Sequence, residues 1–404
     1  MELPRRVVVL GLARSGMAAA AALERRGVEV VRVDRKLGPD DDAALLDGAG
    51  LLVKSPGVPG EHALVAEAGR RGVPVWSEVE LGFRLLAPRP FVAVTGTNGK
   101  TTTTELLGAI FRAAGLPVEV AGNVGRALTS VDPEATAPEA WVVCETSSFQ
   151  LEDVESFRPR IAVLLNLEPD HLDRHGTLAA YRTAKLRIFA AQGPADVAVV
   201  PRGFAAVPGE GRRSEFAATD ALPAEPLIPG AHNRENAAAA TAAARAAGIP
   251  DSAIAEALLT FPGVQHRLEP VRELAGVRYV NDSKATNTAA ARRALAAFAA
   301  PLLVILGGSL KGESFDELAA DTRGRARAIY LIGEATEELA AALDRAGATY
   351  ERAGTLAVAV AHAAAAARPG DVVLLSPACA SFDQFDNFEH RGEEYRRLVS
   401  NLDG

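Results

Sequence analysis

Four of the chain's six lysines, Lys100, Lys185, Lys284 and Lys311, stand inside short runs of small, polar and acidic residues, in a sequence that otherwise uses arginine for positive charge. The clearest run is Thr95-Gly-Thr-Asn-Gly-Lys-Thr-Thr102, entered from Phe91-Val-Ala-Val94 and followed by Thr-Thr-Glu-Leu-Leu-Gly-Ala-Ile. A strand, a glycine loop and a helix in that order make a phosphate cradle. Gly96 and Gly99 let the loop backbone, Thr97 and Asn98 included, turn N–H groups toward phosphate oxygens. The helix N-terminus adds its dipole, Lys100 reaches the β- and γ-phosphates, and Thr101 with Thr102 begins the helix, the Thr101 hydroxyl facing Mg²⁺. Val94 stands where the usual pattern has its first glycine. The plain alternative is a tight turn before a capped helix; the strand-loop-helix context favours a bound nucleoside triphosphate.

Further groups fall at expected strand ends. After Trp141-Val-Val-Cys144 comes Glu145-Thr-Ser-Ser-Phe-Gln-Leu151, and after Ile161–Asn166 comes Glu168-Pro-Asp-His-Leu-Asp173. A carboxylate at Glu145 and a neutral nitrogen at His171, beside a phosphate loop, suit Mg²⁺. Lys185 lies in Tyr181-Arg-Thr-Ala-Lys-Leu-Arg-Ile-Phe189, an amphipathic stretch where a solvated lysine is the plain reading. Near the N-terminus, Gly11-Leu-Ala-Arg-Ser-Gly16 follows an apolar strand, with Asp34 at the end of the next one. It is a G-x-A-x-x-G variant of the dinucleotide fingerprint, and either a bare turn or a diphosphate site fits it. Ser55-Pro-Gly57 adds a loop at the same sheet edge.

These groups need elements to position them. Apolar runs at 7–10, 29–33, 51–53, 91–94, 141–144, 161–166, 197–200, 302–306, 328–332 and 372–375 alternate with alanine-rich stretches of helical length. That pattern implies an α/β protein, with mostly parallel sheets covered by helices. Proline punctuation at 88 and 90 and the Phe261–Val264 break divide the chain into units 1–89, 90–263 and 264–404. Residues 201–231, rich in Pro and Gly, read as irregular connection. The chain has 404 residues, 48% hydrophobic and 23% charged, which fits several globular units rather than disorder. A net charge of −8 without a basic run argues against nucleic-acid binding. Two cysteines, Cys144 and Cys379, make no disulfide framework and suit a reducing cytoplasm. The apolar stretch at 7–10 is too short for a signal peptide, and Ala353–Ala367 reads as a core helix rather than a membrane span.

The third unit adds His266-Arg-Leu-Glu269, Asn281-Asp-Ser-Lys-Ala-Thr-Asn287, Gly307-Gly-Ser-Leu-Lys-Gly312 and Ser376-Pro-Ala-Cys-Ala-Ser-Phe-Asp-Gln-Phe-Asp-Asn-Phe-Glu-His-Arg-Gly392. With the phosphate loop, Glu145–Leu151 and His232-Asn-x-x-Asn236, these runs resemble the Mur ligases of bacterial cell-wall synthesis across all three units. N-D-S-K-A-T-N and S-P-A-C-A-S resemble the D-glutamate-adding branch. The resemblance implies a Rossmann-like first domain for the UDP substrate, a P-loop ATPase-like middle domain and a Rossmann-like third domain for the amino acid. It implies a monomeric cytoplasmic enzyme whose small-molecule substrates are UDP-MurNAc-L-Ala and D-glutamate. ATP phosphorylates the substrate's terminal carboxylate, and the D-glutamate amine displaces phosphate from the acyl phosphate.

Carried over by position, Thr101, Glu145 and His171 would hold metal, with two Mg²⁺ sites. Lys185, in Y-R-x-A-K, would be carbamylated and bind the second ion. Asn236, Arg267 and Asp282 would join the phosphate loop in holding ATP. Arg14, Ser15, Asp34, Arg35, Ser55 and Asn123 would hold the UDP substrate. Lys284, Thr286, Lys311, Ser381, Phe382 and Phe388 would serve D-glutamate and the reacting groups, with Lys100 completing the catalytic set. Ala13 in the first glycine turn and Ser309-Leu310 beside Lys311 depart from the family's forms. Two other classes compete: a nicotinamide oxidoreductase, which leaves the phosphate loop unexplained, and a non-enzymatic nucleotide-dependent scaffold, which leaves the lysines unused.

Overall fold

The structure, a computed structural model, describes residues 3–310 and 312–402, apart from the side chains of residues 172 and 173. Its strands form three sheets. The first contains β1 (Arg6–Leu10), β2 (Glu29–Val33), β3 (Leu51–Lys54) and β4 (Val75–Ser77), all parallel in the order β2-β1-β3-β4. The second contains β5 (Phe91–Thr95), β6 (Val118–Gly122), β7 (Trp141–Glu145), β8 (Ile161–Leu164), β9 (Val197–Pro201) and β10 (Arg212–Phe216) in the order β10-β9-β8-β5-β7-β6, again all parallel. The third contains β11 (Glu269–Leu274), β12 (Val277–Asn281), β13 (Leu302–Gly307), β14 (Ala326–Ile332), β15 (Glu351–Gly354) and β16 (Val372–Leu375) in the order β11-β12-β16-β13-β14-β15. There only β11 runs antiparallel to its neighbour.

The continuous apolar runs became the central strands because helices cover both their faces, as parallel sheets require. Val7–Leu10, Val92–Val94 and Leu302–Leu306 are buried throughout. Alanine lets helices approach closely: Ala19, Ala20 and Leu23 of helix Arg14–Glu24 join the core of the first sheet. Helix Leu356–Ala366, expected as a core helix, buries one face through Leu356, Ala359, Val360 and Ala363. Among the described residues no helix is long and apolar enough to cross a membrane.

One expectation is corrected. Residues 201–231 are not wholly irregular, since β10 lies inside them and pairs with β9. Arg212, Arg213 and Glu215 are exposed there and only Phe216 is buried, so an edge strand left no apolar pattern. The three-residue strand β4 and the polar strands β11 and β15 also lay outside the apolar runs.

The chain gathers into two compact units, residues up to 227 with 232–261, and residues 228–231 with those from 262. The first two sheets share the first unit, and buried polar ties join them. Glu80, fully buried, accepts the N–H groups of Glu155, Ser156 and Phe157 at 3.0, 2.9 and 2.9 Å. Lys54, equally buried, pairs with Asp153 at 2.9 Å.

Candidate active site

The topology of the second sheet decides which loops meet. β5 lies between β7 and β8, and the chain leaves it for the far edge, β6, before returning. Strand order therefore reverses beside β5, and the parallel strands end on one rim, so the loops after Thr95, Glu145 and Leu164 are neighbours. Open α/β sheets bind ligands at such reversals.

Gly96 (φ +154°) and Gly99 (φ +83°) hold backbone conformations that favour glycine. A Cβ on Gly99 would lie 2.1 Å from Asn236 Oδ1, and one on Gly96 would lie 2.9 Å from Leu165 Cβ. Asn166 clamps the loop by accepting the Asn98 N–H at 2.8 Å and donating to the Asn98 carbonyl at 3.2 Å. Thr97 Oγ1 accepts the Glu168 N–H at 3.0 Å and lies 3.0 Å from the Tyr181 hydroxyl. Helix Lys100–Ala113 starts directly from Gly99, which puts the positive end of its dipole at the loop. Thr101 and Thr102 are buried in its first turn.

Two ammonium groups converge on one carbonyl. Lys100 Nζ donates to the Gly96 and Thr97 carbonyls at 2.9 and 2.8 Å, and Lys185 Nζ donates to Gly96 at 2.7 Å. The solvated reading of Lys185 does not hold, because the residue is 2% exposed. Helix Leu178–Leu186, capped by Thr177, aims it inward, and the Tyr181 ring four residues earlier packs 4.7 Å from its Nζ. Burial, and then the charge of Lys100, push the amine down to about 7. Asp170 and Glu145 pull the other way.

Glu145 is buried at the end of β7 and accepts from Asn123 Nδ2 at 3.0 Å. That contact joins two residues assigned above to different ligands. His171 has a left-handed backbone (φ +51°) and a half-exposed ring 5.0 Å from that of Phe149. Among the described residues, no three His, Cys, Asp or Glu side chains gather as a metal cluster. The donors present nevertheless fit Mg²⁺. The Thr101 hydroxyl and Glu145 carboxylate are hard oxygen ligands, and Mg²⁺ beside phosphates keeps waters and phosphate oxygens rather than needing a protein cage.

The first glycine turn closes on itself. Asp34 accepts the N–H of Leu12 at 2.7 Å and of Lys36 at 3.0 Å, and these bonds hold its carboxyl below the usual range. Ser55 Oγ donates to the Gly11 carbonyl at 2.5 Å. Arg14 donates to the Gly125 carbonyl at 3.1 Å, bringing the turn beside the Asn123–Gly125 loop. Ser15 is half-buried and Arg35 exposed.

In the second unit the segments around Lys284, Ser309 and Ser381 follow β12, β13 and β16. Arg391, fully buried, ties them together. It donates to Ser283 Oγ at 3.0 Å, and to the carbonyls of Ser283, Ala380, Cys379 and Gly307 at 2.9, 3.0, 3.1 and 3.4 Å. Burial pushes its guanidinium down to about 10. Asp282 accepts from the Leu268 N–H at 3.1 Å and the Ser376 hydroxyl at 2.7 Å, and burial raises its carboxyl to about 7 against those bonds. Arg267 and Arg293 lie near enough to oppose that rise. Lys284 Nζ stands 5.9 Å from the Phe388 ring centre, and the Thr286 N–H bonds the Lys284 carbonyl at 2.9 Å. Ser381 is buried while Phe382 is 73% exposed. Lys311 lies outside the described residues.

Known proteins resemble this chain over nearly its whole length. Family models for the Mur ligase middle domain and the Mur ligase glutamate ligase domain match residues 94–208 and 266–379. A UDP-N-acetylmuramoylalanine–D-glutamate ligase of Pelotomaculum thermopropionicum is 40% identical over 453 aligned residues, spanning 98% of both chains. One of Acidobacterium capsulatum is 42% identical over 450, spanning 99% of this chain and 97% of the relative. The chain belongs to the Mur ligase family. Among solved structures, UDP-N-acetylmuramate-alanine ligase MurC from Thermotoga maritima matches 99% of this chain and 100% of its own, with a TM-score of 0.61 at 19% identity. At that identity the likeness is one of fold.

Several residues that shape the site of this Mur ligase were not singled out from the sequence: Asn166, Tyr181, Ser148, His175 and Arg391. Tyr181 carried a usable signal, standing four residues before Lys185 on one helix. Asn166 closes its strand without a spacing that marks it, and Arg391 was one arginine among many.

Proposed function

We propose that this Mur ligase joins D-glutamate to UDP-N-acetylmuramoyl-L-alanine at the expense of ATP in peptidoglycan precursor synthesis. The observation that carries the reading is about 40% identity, over almost the whole chain, to proteins named for that ligation. A phosphate loop with two lysines on one carbonyl suits the chemistry, since phosphoryl transfer between anions needs positioned cations more than covalent help.

The terminal carboxylate of the UDP substrate attacks the γ-phosphorus and ADP leaves. The D-glutamate amine then adds to the acyl phosphate carbon, and inorganic phosphate departs with the C–O electron pair and takes up the proton that the nitrogen gives up. Lys100 holds the transferred phosphate, with Gly96, Thr97, Asn98, Gly99, Thr101 and Thr102 along its path. Asn236, Arg267 and Asp282 bind the rest of the nucleotide. Thr101, Glu145 and His171 would hold Mg²⁺, which when bound would supply positive charge for the phosphate oxygens.

Lys185 would carry a carbamate, formed when its neutral amine adds to CO₂ and loses a proton, and that carboxylate would hold a second ion where an ammonium would repel it. An amine brought down to about 7 is available for that addition near neutral pH. Arg14, Ser15, Asp34, Arg35, Ser55 and Asn123 hold the UDP substrate. Lys284, Thr286, Lys311, Ser381, Phe382 and Phe388 receive D-glutamate. We place the enzyme in the cytoplasm as a monomer.

Phosphate release with ATP and UDP-N-acetylmuramoyl-L-alanine, comparing D-glutamate, L-glutamate, L-alanine and diaminopimelate, tests the function. Release that depends on D-glutamate is expected; equal release with another of the four, or none with any, defeats it.

A further inference from the structure

Ser148, His175 and Glu152 form a hydrogen-bonded file beside the phosphate loop. His175 Nε2 lies 2.9 Å from Ser148 Oγ, and Nδ1 lies 3.2 Å from Glu152 Oε1. A carboxylate only accepts, so Nδ1 carries a proton and Nε2 pairs with the hydroxyl, the orientation that a third group imposes on histidine in hydrolytic triads. Access excludes hydrolytic chemistry here. Ser148 is 2% exposed and the His175 side chain 3%, so no substrate carbonyl reaches the hydroxyl.

What the file does is join two loops. Ser148 stands three residues after Glu145, in a turn pinned to β5 by the Thr146 N–H on the Val94 carbonyl at 2.8 Å. The Thr95 hydroxyl adds a bond to the Thr146 carbonyl at 2.9 Å. His175 ends the helical turn Leu172–His175 that begins beside His171, and its N–H bonds the His171 carbonyl at 3.0 Å. Phe149 fills the space between the loops, its ring 5.0 Å from His171 and stacked on His175 at 5.1 Å and 8°. On its other side His175 meets the edge of Tyr181, whose hydroxyl reaches Thr97.

We propose that His175 is a positioning residue: by bonding Ser148 and Glu152 it sets the spacing between the Glu145 turn and the His171 loop, and with it the affinity for a nucleotide-bound divalent cation. The proposal rests on the reading of Glu145 and His171 as metal ligands. His171 has a half-exposed ring backed by Phe149 and Asp170, so its place relative to Glu145 depends on what anchors its loop. Groups that orient metal ligands from behind are costly to lose, typically 10–100-fold in metal affinity.

The test is titration of Mn²⁺ into the full-length protein with ADP, reading unbound Mn²⁺ by electron paramagnetic resonance. His175→Ala and Ser148→Ala should each weaken Mn²⁺ binding about tenfold, while ADP binding without metal is unchanged. The double variant should be no weaker than His175→Ala alone, because removing His175 already removes its bond to Ser148. His175→Gln, whose amide can stand where Nε2 stood, should return to within about threefold of wild type, a gain of the size one hydrogen bond gives. Wild-type Mn²⁺ affinity in His175→Ala, or losses that add in the double variant, overturns the proposal while leaving the metal reading intact. Failure of the wild-type protein itself to bind Mn²⁺ with ADP overturns that reading and the proposal with it. If His175→Ala does not fold, Ser148→Ala and His175→Gln decide by the same affinities.

Discussion

Two strand-glycine-helix turns stand in the first compact unit, and they are closed in opposite ways. The turn from Gly11 to Gly16 is sealed by neutral and acidic groups, with Asp34 on the Leu12 N–H and Ser55 on the Gly11 carbonyl. The turn from Gly96 to Lys100 is held from one side by Asn166, and two lysine amines gather on its Gly96 carbonyl. One geometry thus carries two electrostatic characters. A turn whose Leu12 N–H and Gly11 carbonyl are already bonded is held shut by its own neighbours. A turn loaded with cations suits a phosphate that must move, where charge builds in the transition state.

Lys100→Ala should expose that difference most strongly. Turnover should fall by roughly 10²–10³-fold or more, the scale for losing one preorganised charge at a reacting phosphate. Binding of the UDP substrate, measured by calorimetry without nucleotide, should stay within about twofold, since the change lies well outside that turn. Equal loss at both turns would erase the distinction.

Lys185→Arg asks whether the second amine acts as a cation or as a carbamate. If charge alone mattered, arginine would serve. Arginine stays protonated and cannot add CO₂, so activity should fall about a hundredfold, as for a lost metal-orienting group. The pH dependence adds a sign. The amine stands near 7 when folded, so the reactive neutral form grows as pH rises through 7, and wild-type activity should rise across pH 6–8 at fixed CO₂. Near-normal activity of the arginine variant returns Lys185 to a structural role.

Gly16→Ala acts on the other turn. A Cβ there would lie 1.9 Å from the Gly11 carbonyl oxygen and 2.7 Å from Ser55 Oγ, so the helix must move off the turn. UDP-substrate affinity should drop about tenfold, with ADP affinity unchanged, if close helix approach is what holds the diphosphate. A parallel loss of ADP binding would mean that the two turns are coupled through the junction between the sheets.

The two turns were also unequally legible. Glycine, lysine and threonine at fixed spacing after a buried strand identify a phosphate loop from sequence, because each type is needed for a separate physical reason. Strands buried on both faces read equally well as apolar runs. What escaped depends on partners distant in the chain. Lys185 reads as solvated because a helical period gives its face but not what covers it, and the cover is Tyr181 beside the Gly96 carbonyl. The place of Asp34 after β2 is legible, but its bond to the Leu12 N–H of the glycine turn is not. The junction between the first two sheets was invisible, because Glu80 and Lys54 resemble ordinary surface charges until their partners 70 to 100 residues away are known.

Glu78 tests that junction, with the smallest expected effect. Its Oε1 accepts both the N–H and the hydroxyl of Thr129, at 2.6 and 2.8 Å, just beyond the Asn123–Gly125 loop that Arg14 reaches from the first turn. Burial raises its carboxyl to about 7 against those two bonds. A carboxyl with a folded value above its unfolded 4.5 binds more protons when folded. Its contribution to stability is therefore fully present below 4.5 and is lost as pH climbs to 7. Glu78→Gln keeps an acceptor for Thr129 and removes the titration. From pH 6 to pH 7 the wild-type melting temperature should fall relative to the variant by roughly 2–4 °C, the shift expected for about 1 kcal/mol in a domain of this size. Asp282, also raised to about 7, is common to both proteins and cancels in the difference. Parallel melting curves across that range would mean that Glu78 is already charged in the fold. The seat between the sheets would then be an ionic one, and the two turns would share more of their electrostatics than their hydrogen bonds suggest.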